Sequence, residues 1–420
     1  MDRILLCLAH MSGREMDYIR EAFDQNWVVP LGPNVNGFEK DLEEFVNRRK
    51  GAEPMLKKVV ALSAGTAAVH LALIACGIGP GDEVLVQSFT FCASSHPVTY
   101  LGATPVFIDS EKESWNMDPD LLEEAIKDRI AKTGKKPKAI IPVALYGMPY
   151  QIDRIMEIAN RYEIPVIEDA AEGFGSIYKG QVLGTFGEYG VLSFNGNKMI
   201  TTSGGGALIC PDEESWRKVM WYATQARESY PYYQHEAIGY NYRMSNICAG
   251  IGRGQMTIVD EHIAHHRHVQ ALYEELLKDV NGITMHTNPG PYYDSNFWLC
   301  TATLDPNLRI KGQENAYKQV ITGAVGGAGG VTHATSTAVT DCQPNDNVEA
   351  LRMALDAANI ESRPLWKPMH KQPVYRNNSS YTNGVSESLF ATGICLPAGP
   401  WVTDEQVRYI VDKIKENIIR

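Results

Sequence analysis

Four short stretches of this chain carry residue types that could act together on one small molecule. Ser193-Phe194-Asn195-Gly196-Asn197-Lys198 places a lysine among small and polar residues, just ahead of Thr201-Thr202-Ser203-Gly204-Gly205-Gly206. A lysine held rigidly and able to lose its proton can form a Schiff base with a carbonyl compound; an ordinary lysine is a solvated surface charge. Glu168-Asp169-Ala170-Ala171-Glu172 directly follows the apolar Pro165-Val166-Ile167, which sets an acid at a strand end. Such an acid either caps a helix or pairs with a protonated pyridine nitrogen, and the small Ala170 and Ala171 leave room for a ring. Ser63-Ala64-Gly65-Thr66 lies between a strand-like and a helix-like run. It reads as a structural cap or as a phosphate turn, with glycine allowing close approach and the helix N-terminus supplying amides. Gly239-Tyr240-Asn241-Tyr242-Arg243-Met244-Ser245-Asn246 either makes a turn and N-cap or brings Asn241 and Arg243 to a phosphate, including that of a neighbouring subunit. Each stretch alone keeps both meanings. Together, and in this order, they are what a pyridoxal-phosphate (PLP) site requires.

Such residues need a scaffold that lines up strand ends. From about residue 59 to 210, short β-branched runs alternate with helical patterns: Val59–Leu62, Val84–Val86, Pro105–Ile108, Ala139–Val143 and Pro165–Ile167 are separated by helix-like segments. Helices are expected from Ala67, from Ala93, after Asp118-Pro119 and from Asp153. This alternation predicts a parallel sheet covered on both faces, with ligands at the carboxyl ends of its strands. Gly190–Phe194 and Gly206–Ile209 read as two strands around the Gly/Thr/Ser loop, and one long helix is expected from near Ser245 past Arg267. The C-terminal part predicts a helix over Val348–Ala358, strands near Glu361 and Gly393, and a last helix from Thr403. The length favours two domains, set at 1–260 (cofactor-binding, with an N-terminal segment) and 261–420 (smaller). The Gly/Ala/Thr-rich stretch 322–345 has no helical or strand period and is expected to be a flexible loop.

Composition narrows the classes. A net charge of -11 disfavours nucleic-acid binding through phosphate neutralisation, yet a few local cations or a helix N-terminus suffice for a single phosphate. The eight cysteines are scattered without a C-x-x-C pair, so neither a disulfide framework nor a zinc knuckle is expected, and no metal is assigned. The apolar run Ile4–Ala9 is too short for a signal-peptide core or a membrane span. It reads as an opening strand or ordered arm, and the protein is expected in the cytoplasm, without membrane contact.

The sequence closely resembles the DegT/DnrJ/EryC1/StrS family of nucleotide-sugar aminotransferases along nearly its whole length. The likeness runs through Gly37-Phe38-Glu39, Ala64–Ala68, Gly102–Val106, Glu168–Glu172, Ser193–Lys198, Gly239–Ser245 and Arg363-Pro364-Leu365-Trp366-Lys367-Pro368-Met369-His370. The resemblance implies an α/β fold of PLP fold type I, aspartate-aminotransferase-like, with a large mostly parallel mixed sheet domain and a smaller α/β domain. It also implies a homodimer with shared active sites. Carried over by motif, Lys198 bears the cofactor and shuttles protons, Asp169 pairs with the pyridinium nitrogen, and Glu172 lies near the ring hydroxyl. Gly65, Thr66 and Ser193 match phosphate-binding positions, Asn241 reaches over from the partner subunit, and Phe91 stacks on the ring. Members with histidine in place of this lysine are dehydratases, so Lys198 favours amino transfer. The implied reaction moves nitrogen from glutamate to a keto-sugar nucleotide. In look the chain is nearest the branch acting on UDP-4-keto-6-deoxy-N-acetylglucosamine, which makes UDP-4-amino sugars for surface glycans. Trp27, Tyr146, Arg243, Trp366, Lys367 and His370 are candidates for the sugar-nucleotide site, or else packing and surface residues. The alternatives are a dTDP- or GDP-linked keto sugar, an amino-acid substrate, or a PLP-retaining regulator without turnover.

Overall fold

The computed structural model describes residues 2–317 and 342–419; most of the expected loop 322–345 lies outside them. Strands in the first half assemble side by side. Across the sheet the order is Lys58–Leu62, Gly206–Cys210, Tyr189–Ser193, Ile167–Asp169, Ala139–Ile141, Glu83–Gln87 and Thr104–Ile108. The parallel pairings Ile140–Val166 and Val143–Asp169 join its two halves. Only Gly206–Cys210 runs against the rest, antiparallel to both of its neighbours.

Alternation along these strands feeds two layers. Val59 and Ala61 enter one core with Leu85, Val106 and Ile140, while Val60 and Leu62 enter the other with Val84, Val86, Phe107 and Ile141. A sheet buried on both faces needs such near-continuous apolar runs. The helix Gly65–Ala75, rich in Ala and Leu, covers the second face with Ala67 to Leu73 all buried. Pro119–Thr133 starts where Asp118 accepts the Asp120 and Leu121 amides and ends at Gly134 in the left-handed region.

A third core lies around the second sheet, Ile283–Met285, Cys300–Leu304, Gly393–Leu396 and Arg363–Pro364. The helices Asp346–Ala357 and Asp404–Asn417 cover it, the latter opened by a capping box between Thr403 and Gln406. Two connections tie the layers across the chain. Ile4 pairs with Ile360 and joins the third core, and Ser380–Tyr381 returns to extend the large sheet beside Thr104–Ile108.

The single long helix expected from Ser245 is two helices. Asn246–Met256, capped by the Ser245 hydroxyl, packs on the N-terminal helices Glu15–Asp24 and Pro33–Val46. Val259–Leu277 then carries Val269, Tyr273 and Leu277 into the third core. The break falls at Thr257, whose hydroxyl returns to the Gly254 carbonyl. The helix expected from Ala93 is likewise split, into a turn at Cys92–Ser94 and a short His96–Tyr100, because Pro97 has no amide with which to continue a preceding turn. Among the described residues, no helix is long and apolar enough to cross a membrane, and no His/Cys/Asp/Glu group could hold a metal ion.

Candidate active site

Asp169 ends its strand at the centre of the large sheet, and no helix follows it, which removes the reading of a helix cap. Its carboxylate accepts the Ser94 hydroxyl at 2.6 Å and the Ala171 amide at 3.1 Å, with only 4% of the residue exposed. Burial pushes its pKa up, against the pull of those donors and of Lys198. Ser94 is itself held by the Thr90 hydroxyl at 2.9 Å. Glu168 points to the other side of the strand, as strand alternation demands. There it accepts the amides of Gly184, Phe186 and Gly187. It is a structural acid.

The loop after Tyr189–Ser193 brings Lys198 to the same place. Its Nζ donates to Glu172 at 3.2 Å, with the two side chains 13% and 4% exposed. Burial raises the Glu172 pKa, while Lys198 and the Tyr146 amide, 2.7 Å away, draw it down. Beneath the ammonium lies the Trp298 ring, its centroid 4.1 Å from Nζ.

Gly65 and Thr66 begin their helix without any side-chain cap, Ala64 standing at the cap position. The helix therefore opens on backbone amides, a ready anion site. A side chain at Gly65 would meet the Ser193 Cβ at 3.1 Å, and one at Gly206 would meet the Gly65 nitrogen at 2.4 Å. Bare backbone at both positions lets the helix start sit against the strand that leads to the lysine.

These residues fit PLP. A buried carboxylate with no cation in bonding distance among the described residues suits a protonated pyridine nitrogen, an uncapped helix start suits a phosphate, and a half-buried lysine suits the aldehyde.

The expected substrate residues divide into groups. Phe91, Tyr146 and Trp366 come together: Trp366 lies 5.3 Å from Phe91 and stacks at 6.3 Å on Tyr146, whose hydroxyl accepts the Trp366 amide at 2.8 Å. The Trp366 indole N–H has no partner within the described residues. Lys367 reaches the Cys342 carbonyl at 3.1 Å. Asn241 is exposed on a separate groove of about 420 Å³, lined also by Val28, Val29, Ser63 and Gly204. Trp27 lies just before this groove wall, 36% exposed. Two further candidates have hydrogen-bond partners within the fold. Arg243 also borders the groove, but its guanidinium is bound by Glu39 and by the Ala61 carbonyl. His370 is held between Ser88 at 2.6 Å and Glu387 at 3.2 Å.

Sequence reasoning missed Ser94, Asn296 and Trp298. Ser94 left a faint signal, as a hydroxyl in the segment after a strand; the other two sit in Asp294-Ser295-Asn296-Phe297-Trp298, which has no motif or period.

Comparison with known proteins agrees with this geometry. The model of the DegT/DnrJ/EryC1/StrS aminotransferase family matches residues 10–323 and 313–415. EpsN of Bacillus subtilis (strain 168), named as a pyridoxal phosphate-dependent aminotransferase, is 43% identical over 416 residues, covering 97% of this chain and 94% of the relative. GDP-perosamine synthase of Escherichia coli O157:H7 is 33% identical over 406 residues, covering 97% and 96%. A crystal structure of a DegT DnrJ EryC1 StrS aminotransferase from Brucella abortus superposes with a TM-score of 0.80 at 28% identity, covering 96% and 95%.

Proposed function

The chain belongs to the DegT/DnrJ/EryC1/StrS aminotransferase family, and from that premise we propose that it moves an amino group from glutamate to a keto-sugar nucleotide, UDP-4-keto-6-deoxy-N-acetylglucosamine, giving the UDP-4-amino sugar. The observation that carries this reading is the gathering of buried Asp169 and Glu172 around half-buried Lys198, with Nζ 3.2 Å from Glu172, just beyond the strand ends. PLP, when bound, supplies an electron sink for the carbon that gains or loses the amino group.

The residues of the chain do the rest. Gly65 and Thr66 amides, with the Ser193 hydroxyl, bind the phosphate. Asp169 keeps the proton on the ring nitrogen, and Ser94 holds its carboxylate in place. Glu172 accepts a hydrogen bond from Lys198 Nζ at 3.2 Å and so orients the amine toward the ring. Lys198 Nζ then carries a proton to or from the reacting carbon as general acid and base. Trp27, Tyr146, Trp366 and Lys367 face the sugar nucleotide, and Phe91 covers the ring.

An apolar rim supports a homodimer. Phe23, Val28, Val29 and Leu31 are exposed beside the groove that holds Asn241. In this reading a second copy covers the rim and Asn241 enters the partner's site.

A GDP-linked acceptor is the second reading, favoured by the likeness to a GDP-perosamine synthase. Reconstitution with PLP, bleaching of its visible band by glutamate, and a panel of UDP-, GDP- and dTDP-linked keto sugars decide between them. Absence of bleaching by glutamate overturns amino transfer. An amino-sugar product from the GDP substrate alone replaces the UDP acceptor, and product configuration is read in the same assay.

A further inference from the structure

The turn that presents Lys198 is open on its outer side. Within it, the Lys198 amide donates to the Asn195 carbonyl at 3.0 Å, Asn195 is exposed, and a side chain at Gly196 would touch nothing within 4 Å. Its anchor comes from elsewhere in the chain. The Trp298 indole N–H donates to the Asn197 carbonyl at 2.6 Å, and the same ring lies 4.1 Å beneath the Lys198 ammonium. Trp298 is 2% exposed and leads into Cys300–Leu304, a strand of the second sheet.

Asn296 fixes Trp298 in turn. Its side-chain oxygen accepts the Trp298 amide at 2.8 Å, while its amide nitrogen donates to the carbonyls of Glu172 at 2.8 Å and Phe174 at 2.9 Å. Gly147 makes room for it: at φ +93°, a side chain there would stand 1.9 Å from the Asn296 oxygen. The peptide carrying Glu172 and the peptide carrying Lys198 are therefore bonded to one short segment, 296–298. Asn296 acts on the Glu172 peptide and Trp298 on the Lys198 turn, the two partners of one hydrogen bond.

We propose that Asn296 and Trp298 are positioning residues for Lys198, holding its amine against Glu172 and coupling the second sheet to the lysine turn. This rests on Lys198 bearing the cofactor. A cation over an aromatic face is attracted by the ring, and an indole N–H bonded to a buried carbonyl resists replacement by an apolar group. The two contacts fix the side chain and the backbone of the same turn.

Two variants separate these contacts: Trp298→Phe keeps a ring and removes the N–H, and Trp298→Leu removes both. Tyr273→Leu, at a fully buried ring of the third core, is the control for general loosening. In the apoprotein, amide hydrogen exchange over 194–199 is expected to quicken about tenfold in both Trp298 variants and to keep the wild-type rate in the control. In the holoenzyme, visible circular dichroism per bound cofactor falls. The glutamate half-reaction slows about tenfold in Trp298→Phe and about a hundredfold in Trp298→Leu, with KM for glutamate nearly unchanged. Wild-type exchange in both variants overturns the proposal, and so does equal quickening in Tyr273→Leu. Failure of the underlying function is distinct: the wild-type protein would then form no Lys198-dependent visible band, and the exchange measurement would still decide whether Trp298 holds the turn.

Discussion

The floor and the rim of the site are built on opposite terms. On the floor, Asp169 and Glu172 are buried and Lys198 is half-buried, at and just beyond the ends of central strands, and each is held by named partners: Ser94 and Ala171, Tyr146, and Trp298. On the rim, Phe91 is 49% exposed, and on the separate groove Trp27 is 36% exposed and Asn241 is exposed. Trp366 keeps an indole N–H without a partner among the described residues. Rigid, desolvated groups suit a chemical step shared by many substrates, because preorganisation lowers its barrier. Aromatics partly open to solvent suit recognition, which is where fold-sharing enzymes diverge. Floor variants should therefore lose the reaction whatever the acceptor, and variants of rim residues assigned to the acceptor alone, such as Trp366, should lose only affinity for it.

The largest expected effect is at Lys198. Lys198→Ala should abolish the visible band and lower amino transfer by about 10³-fold or more, and rapid-scan absorbance with glutamate checks it. Asp169→Asn comes next, with a loss on the order of 10²-fold in the glutamate half-reaction. Because burial raises the Asp169 pKa, its charge costs the folded apoprotein stability as pH rises, so Asp169→Asn should not lower the apoprotein Tm at neutral pH. A substantial Tm drop would mean that this acid serves the fold. Glu172→Gln removes a buried acceptor of a charged group and should slow the half-reaction about ten- to a hundredfold. Stopped-flow bleaching would reveal an unchanged rate, and that result would remove Glu172 from the floor.

Smaller effects belong to the rim and to the frame. Trp366→Phe should raise KM for the sugar nucleotide several-fold at unchanged glutamate half-reaction, the scale of one aromatic contact. A loss in the half-reaction itself would blur the division between the two regions. Glu168, one residue from Asp169, tests whether strand side decides role. Burial lifts its pKa from 4.5 to about 7. A group raised in the folded state gives its stability fully below the unfolded value and loses it as pH rises through the folded one, here about 3 kcal/mol between pH 4.5 and 8. Glu168→Gln should flatten that decline in thermal unfolding across the pH range and leave the rate of the holoenzyme within about twofold.

The floor was legible because its parts are local. A strand end, an acid and two alanines, or a helix start with glycine, are contiguous patterns with one physical meaning each once they are combined. The alternation of Val59 to Leu62 between two cores follows directly from the period of a strand. What escaped depends on distant partners. Trp298 gains its place from Asn197, roughly a hundred positions earlier in the chain, and Arg243 is paired with Glu39 from still farther away. Neither pairing leaves a periodic trace. The break at Thr257 also escaped, since a hydroxyl turning back on its own helix costs only one residue of pattern.

The pairing of Ile4 with Ile360, and the return of Ser380–Tyr381 to the edge of the first-built sheet, bear on how this chain is made. A nascent chain leaves the ribosome from its N-terminus, and contacts between its two ends must wait for nearly complete synthesis. Until then the first residues have no strand partner, and the Thr104–Ile108 edge of the large sheet stays open to other chains. Ser380–Tyr381 thus closes an edge laid down far earlier in the chain, and loss of that segment would leave most of the catalytic floor beside an unguarded flank.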